Sequence, residues 1–288
     1  MIFLDSELTA AERGGDALFR VIPVPLERTV SYGAGTALGP AAILEASNEL
    51  ERGIAGREPA AAGILTEPPL EVDGPLPDVM ARLADRTDAA IRKGCVPVVL
   101  GGEHGLTYGA VTGVARALGR PVGIVQIDAH ADLRVAYQGE RHSHASVMHL
   151  LTEAGFALAQ YGIRAVSAEE EAAQTARGVH VRGAEALVTG RVFADDLPPG
   201  FPEDIYVSFD VDGLDPAIMP ATGTPVPGGL GFYQALHLVE HALKGRRCVG
   251  FDVVELAPNG TAAWDFTAAQ IVYRLMAACL PPATASHG

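Results

Sequence analysis

Three short stretches of this chain carry residues that could hold metal. Asp128, His130 and Asp132 occupy alternate positions in Asp128-Ala129-His130-Ala131-Asp132. In extended chain, alternate side chains project to one side, so two carboxylates and an imidazole can converge on one point. Asp210 and Asp212 repeat the spacing in Asp210-Val211-Asp212-Gly213, and Gly101-Gly102-Glu103-His104 adds a second imidazole. The set His104, Asp128, His130, Asp132, Asp210 and Asp212 is rich in oxygen, contains nitrogen and lacks thiol. It can hold two divalent cations with Asp128 and Asp210 bridging, and its donors suit two Mn2+ better than a structural zinc. A lone Asp at a strand end is ordinarily a helix cap or turn former, and a lone His ordinarily packs. The recurrence of such groups after three apolar runs is what points to a metal site. Asp215, in Gly213-Leu214-Asp215-Pro216, reads as a turn former.

The elements that must position these residues follow from hydrophobic patterning. Strands are expected at Val21–Pro25, Val96–Leu100, Val122–Ile127, Ile205–Phe209 and Cys248–Val254. Helices are expected at Pro40–Glu51, Leu76–Lys93, 106–118, Phe232–Leu243 and Trp264–Cys279. Residues 52–78, rich in Gly, Pro, Ala and acid, read as a surface excursion. Continuous apolar strands alternating with helices indicate a parallel sheet covered on both faces. The reading is one α/β domain over 1–288, a three-layer α/β/α fold. Each ligand cluster follows a strand, where open α/β sheets place their ligand sites.

Composition narrows the partners. The 288 residues include 21 Lys plus Arg and 35 Asp plus Glu, a net charge of −14. Nonspecific nucleic-acid binding, which rests on basic residues neutralising phosphates, is excluded as a function class. The field of such a chain favours cationic ligands. No apolar run approaches the roughly 20 residues of a membrane-spanning helix, and the N-terminus turns acidic too early for a signal peptide. Three dispersed cysteines, Cys95, Cys248 and Cys279, suit a reducing, cytoplasmic setting.

At these motifs the chain resembles the ureohydrolase family of arginases and agmatinases. Ser31-Tyr32-Gly33-Ala34-Gly35-Thr36 with Gly39-Pro40-Ala41-Ala42-Ile43 resembles the family's substrate-side loop and following helix. Ser143-His144-Ala145-Ser146-Val147-Met148 resembles a stretch of bacterial and archaeal agmatinases. Thr222-Gly223-Thr224-Pro225 and Gly250-Phe251-Asp252-Val253-Val254-Glu255 match two further family segments. The resemblance runs from about residue 21 to 275. Two departures are Glu103 and Gly105, where many relatives have Asp and Ser, and Ala145-Ser146 in place of Gly-Thr.

The resemblance implies an arginase-type fold with a mostly parallel sheet of about eight strands, two Mn2+ per chain, and a homo-oligomer, a trimer or hexamer. One ion falls to His104, Asp128, Asp132 and Asp210, and the other to Asp128, His130, Asp210 and Asp212. Glu255 matches the glutamate that holds the guanidinium, which stays protonated and needs a carboxylate partner. Asp132 is placed to pass a proton to the leaving amine. Local pattern alone leaves His142 and His144 as equal candidates for a proton shuttle; the resemblance selects His144 and puts His142 at the entrance. His149, His180, His237, His241 and His287 are expected to be structural or surface residues.

The implied substrate is a small cationic guanidino compound, most simply agmatine, cleaved to putrescine and urea. Arginases grip the amino-acid head of arginine with an Asn two residues after the last ligand of the Asp-x-His-x-Asp motif, and here that position is Arg134. Arg134 pointing into the pocket favours a carboxylate such as guanidinobutyrate. Arg134 pointing to solvent or to an acid such as Glu140 favours agmatine, with an aminopropyl-extended agmatine as a third option. A metal-dependent deacetylase of the same fold needs only one zinc on an Asp-His-Asp set, so the six ligand types and Glu255 argue against it. A non-catalytic scaffold is expected to have lost one of them.

Overall fold

The computed structural model of the chain describes residues 1–191 and 196–280. Among them, one sheet contains β1 (Phe19–Val24), β2 (Ile64–Thr66), β3 (Val96–Gly101), β4 (Gly123–Ile127), β5 (Ala157–Ile163), β6 (His180–Gly183), β7 (Asp204–Asp210) and β8 (Arg247–Val254). The order is β2-β1-β3-β8-β7-β4-β5-β6, and all seven pairings are parallel. The helices are α1 (Gly39–Ala46), α2 (Leu76–Arg92), α3 (Thr107–Leu118), α4 (Val147–Glu153), α5 (Ala168–Ala176), α6 (Ala184–Val188), α7 (Phe232–Ala242) and α8 (Ala262–Cys279). His287 lies outside the described residues.

Alternation along the strands builds the three layers. Val98, Leu100, Val125, Ile127, Val207, Phe209, Phe251 and Val253 face one way and pack with Ile43 of α1, Leu238 and Val239 of α7, and Ile271 and Val272 of α8. Val99, Ile124, Tyr206, Val249 and Val254 face the other way and meet Val79 and Leu83 of α2, Val111 and Val114 of α3, and Met148 and Leu151 of α4. This is the α/β/α sandwich expected, and its sheet is wholly parallel.

Three sequence expectations need correction. Residues 52–78 are not merely an excursion, because Ile64 to Thr66 form edge strand β2, paired with Phe19 to Val21. Three residues give no periodicity to read. The helix expected to Glu51 ends at Ala46 and continues as a 3-10 turn over Ser47–Glu49. Ser47 Oγ donates to Leu44 O, and Asn48 Nδ2 donates to the Leu44 and Glu45 carbonyls, so side chains compete with the backbone ladder there. Finally, β5 and β6 lie beyond β4, where no strand was read.

Helices α2 and α3 cross closely through Gly109 and Gly113. A Cβ on Gly113 would overlap Thr87 Oγ1 and the Ala84 carbonyl of α2, and Thr87 Oγ1 donates across to Ala110 O at 3.1 Å. Gly113→Val is therefore expected to cost about 3 kcal/mol through overpacking, seen as a Tm lowered by several degrees in calorimetry. An unchanged Tm would contradict this crossing.

Candidate metal centre and cavity

Strands β3, β8, β7 and β4 are consecutive neighbours in the sheet. Their carboxyl ends bring together residues far apart in sequence. His104 follows β3, Glu255 follows β8, Asp210 ends β7 with Asp212 just beyond, and Asp128, His130 and Asp132 follow β4. His104 Nδ1 lies 2.9 Å from Asp132 Oδ2, 3.1 Å from Asp128 Oδ2 and 3.3 Å from Asp210 Oδ2. His130 Nδ1 lies 3.0 Å from Asp212 Oδ2 and 3.6 Å from Asp128 Oδ1. Two groups of potential ligand atoms result, His104–Asp128–Asp132 and Asp128–His130–Asp212, with Asp128 in both. Asp210 falls in neither; its Oδ2 faces His104, while its Oδ1 accepts the Asp212 N–H at 2.8 Å.

Hydrogen-bond polarity fixes what His104 presents. Ser208 Oγ donates to Asp252 Oδ1 at 2.7 Å. Its only proton is thus committed, and its oxygen accepts from His104 Nε2–H at 2.8 Å. His104 Nδ1 is then an unprotonated lone pair, buried and without a hydrogen bond, aimed among three carboxylates. Burial pushes the Asp132, Asp210 and Asp212 carboxyls up, and neighbouring aspartate charge pushes them further. A lone pair facing buried carboxylates is repulsive with nothing between them. A divalent cation removes both problems, so these residues fit one.

A buried polar row supports the ligands, on adjacent strands in register: Asp252, Ser208, Gln126 and Gln160. Gln126 Nε2 donates to Asp128 Oδ2 at 2.6 Å, Gln160 Nε2 to Gln126 Oε1 at 2.7 Å, and Gln174 Nε2 of α5 to Gln160 Oε1 at 2.8 Å. Thr107 and Tyr206 hydroxyls also donate to Asp252 Oδ2, at 2.8 and 3.0 Å. Sequence reading assigned no role to these residues. The signal was present: Gln126 and Ser208 are polar positions in apolar strands, two residues before Asp128 and Asp210.

Asp132 and Glu255 have φ of 52° and 65°, in the left-handed region. For a glutamate this is uncommon, and such strain concentrates at functional sites. Glu255 Oε1 accepts the His104 N–H at 2.6 Å. Burial pushes this carboxyl up, to about 8, although the His104 N–H opposes the shift. Gly102 makes the arrangement possible: its carbonyl accepts the Glu255 N–H at 2.9 Å, and a Cβ there would collide with the Leu26 carbonyl.

His104, His130, Asp132, Asp210, Asp212 and Glu255 line one cavity of about 360 Å³. Asp128 is fully buried behind them. His144, Arg134, Tyr137 and Glu170 line its outer part. Burial holds the His144 imidazole down at about 4. His142 does not line the entrance; its ring packs edge-on against Tyr108 at 5.6 Å. Arg134 lines the cavity, half exposed, yet its acid neighbour is Glu170, 4.0 Å away, and not Glu140. Glu140 instead accepts the His142 N–H. Asp215 accepts N–H groups of Ala217, Gly228 and Gly229, the turn role expected. His149 is buried against Arg177.

A sequence profile described as the arginase family matches residues 17–278. The chain belongs to the arginase family. An N(1)-aminopropylagmatine ureohydrolase of Thermus thermophilus is 38% identical over 88% of this chain and 87% of its own length. An agmatinase of Pyrococcus horikoshii is 33% identical over 90% of each. The crystal structure of agmatine ureohydrolase of Thermoplasma volcanium superposes with a TM-score of 0.81 at 28% identity, covering 97% of this chain and 94% of that one. Among the described residues of this arginase-family chain, no helix is long and apolar enough to cross a membrane.

Asp128 serves both ligand groups, so Asp128→Ala is expected to lower the bound divalent-metal content of the chain sharply, measured by elemental analysis after dialysis. Ser208→Ala frees the His104 ring and is expected to weaken divalent-cation binding by about 10–100-fold, read by titration calorimetry. Full metal content in Asp128→Ala would refute the shared-ligand arrangement.

Proposed function

We propose that this arginase-family enzyme hydrolyses agmatine to putrescine and urea with two Mn2+ per chain. The observation that carries the reading is the shared cavity: five side chains of metal-ligand type, His104, His130, Asp132, Asp210 and Asp212, line it with Asp128 buried behind them, and Glu255 sets a carboxylate beside them. His104, Asp128, Asp132 and Asp210 would hold one ion, and Asp128, His130, Asp210 and Asp212 the other. When bound, such a pair supplies Lewis acidity and lowers the pKa of water from 15.7 toward about 7.

The chain's own residues do the rest. Glu255 Oε1 is held by the His104 N–H, leaving Oε2 to accept from the substrate guanidinium. Ion pairing with that guanidinium favours the ionised carboxylate against the upward push of burial. Asp132 receives the proton released as water attacks the guanidinium carbon and delivers it to the leaving amine nitrogen. His144, neutral because of its depressed pKa, exchanges protons between cavity and solvent.

Substrate choice rests on the outer cavity. Arg134 has Glu170 beside it, so the mouth is not a dedicated carboxylate receptor, and the net charge of −14 favours a dication. The aminopropylagmatine ureohydrolase name carried by a 38% identical relative favours aminopropyl-extended agmatine as a second reading. Residues 1–288 are read as a single catalytic domain.

Urea release by the Mn2+-loaded enzyme should be greatest with agmatine or aminopropylagmatine, compared side by side with arginine and 4-guanidinobutyrate. A preference for 4-guanidinobutyrate would make Arg134 a carboxylate reader and overturn the substrate assignment. Glu255→Gln should keep both ions and lose turnover by at least about 100-fold. Loss of metal in that variant would give Glu255 a different role.

A further inference from the structure

The segment after β1 grips His144. Thr29 Oγ1 accepts the His144 backbone N–H at 3.1 Å and lies 3.0 Å from its Nδ1. Ser31 Oγ lies 2.8 Å from Nε2. Both ring nitrogens therefore have hydroxyl partners from one three-residue stretch, and the Tyr137 ring stands edge-on at 5.1 Å. The stretch is itself anchored by carboxylates. Fully buried Glu103 accepts the N–H groups of Arg28 and Thr29, each at 2.6 Å. Glu27 accepts those of Gly35 and Ala37, at 3.0 and 2.8 Å. Glu103 immediately precedes His104, so the turn that presents a metal-ligand imidazole also fixes the hydroxyls around His144.

We propose that Thr29 and Ser31 are positioning residues for His144, holding its ring in both of its protonation states. A carboxylate partner only accepts and an ammonium only donates, whereas a hydroxyl does either. A ring flanked by two hydroxyls keeps both contacts in each neutral tautomer and in the imidazolium. An imidazole that gains a proton at one nitrogen and loses one at the other can then turn over without swinging out of the cavity. Sequence shows Ser31 inside a family-like loop but gives no reason to pair it, or Thr29, with a histidine more than a hundred residues away.

This rests on the shuttle reading of His144, and the test separates the two. Urea release and Mn2+ content are measured for Thr29→Val, Ser31→Ala, Thr29→Ser, His144→Ala and the double variant Thr29→Val/His144→Ala. His144→Ala is expected to lower kcat by about 100-fold or more. Thr29→Val and Ser31→Ala are each expected to lower kcat about 5–10-fold, with KM within about twofold and Mn2+ content unchanged. Thr29→Ser, which keeps the hydroxyl, should recover most of that loss. In the His144→Ala background, Thr29→Val should have no further effect. An equal Thr29→Val loss in both backgrounds would show a merely structural role and overturn the proposal alone, as would wild-type kcat in both hydroxyl variants. Wild-type kcat in His144→Ala would overturn the shuttle reading and the proposal together.

Discussion

Four carboxylates and two imidazoles crowd into one mostly buried region, and the rest of the structure answers to that crowding. Each buried charge costs several kcal/mol of lost hydration unless it is compensated. Burial, with repulsion between neighbouring aspartates added to it, pushes three of these carboxyls upward. Such a cluster persists only where backbone geometry leaves the side chains no escape. Four adjacent parallel strands ending together provide that geometry, because each strand delivers its terminal residues to the same rim.

Compensation continues beneath the ligands. The row Asp252–Ser208–Gln126–Gln160 places donors and acceptors between apolar neighbours on each strand. Its directionality matters more than its number of bonds: Asp252 takes the Ser208 proton, Ser208 takes the His104 Nε2 proton, and Nδ1 is left bare for metal. Removing one member of such a chain reorients the next, so strand-interior polar residues here act on chemistry one layer above them.

Much of this was legible in sequence because the ligand motifs are short, local and attached to strongly apolar strands. Five strands and helices α1, α2, α3, α7 and α8 follow from periodicity, the strand-end ligand motifs from spacing, and the grouping of His104 with Asp128, Asp132 and Asp210 from the family resemblance. What escaped depends on register and on tertiary neighbours. β2 is three residues long, and β5 opens on Ala157-Leu158-Ala159-Gln160, without a β-branched run. The left-handed backbone at Asp132 and Glu255 has no residue-type signature, since a glycine would be the usual marker. Arg134 pairs with Glu170 on α5 rather than with nearby Glu140, a choice set by how α5 docks. His142 and His144, two residues apart, are told apart only when one meets Tyr108 and the other meets the cavity.

The two outermost strands carry a separate consequence. β2 offers three residues and β6 four at the edges of an otherwise long, apolar, parallel sheet. Exposed rims of unpaired backbone amides are templates for runaway strand addition, and very short rims deny an incoming chain enough ladder to hold. The sheet is therefore terminated at both sides as part of its construction. Growth into fibrils by strand addition is thereby disfavoured.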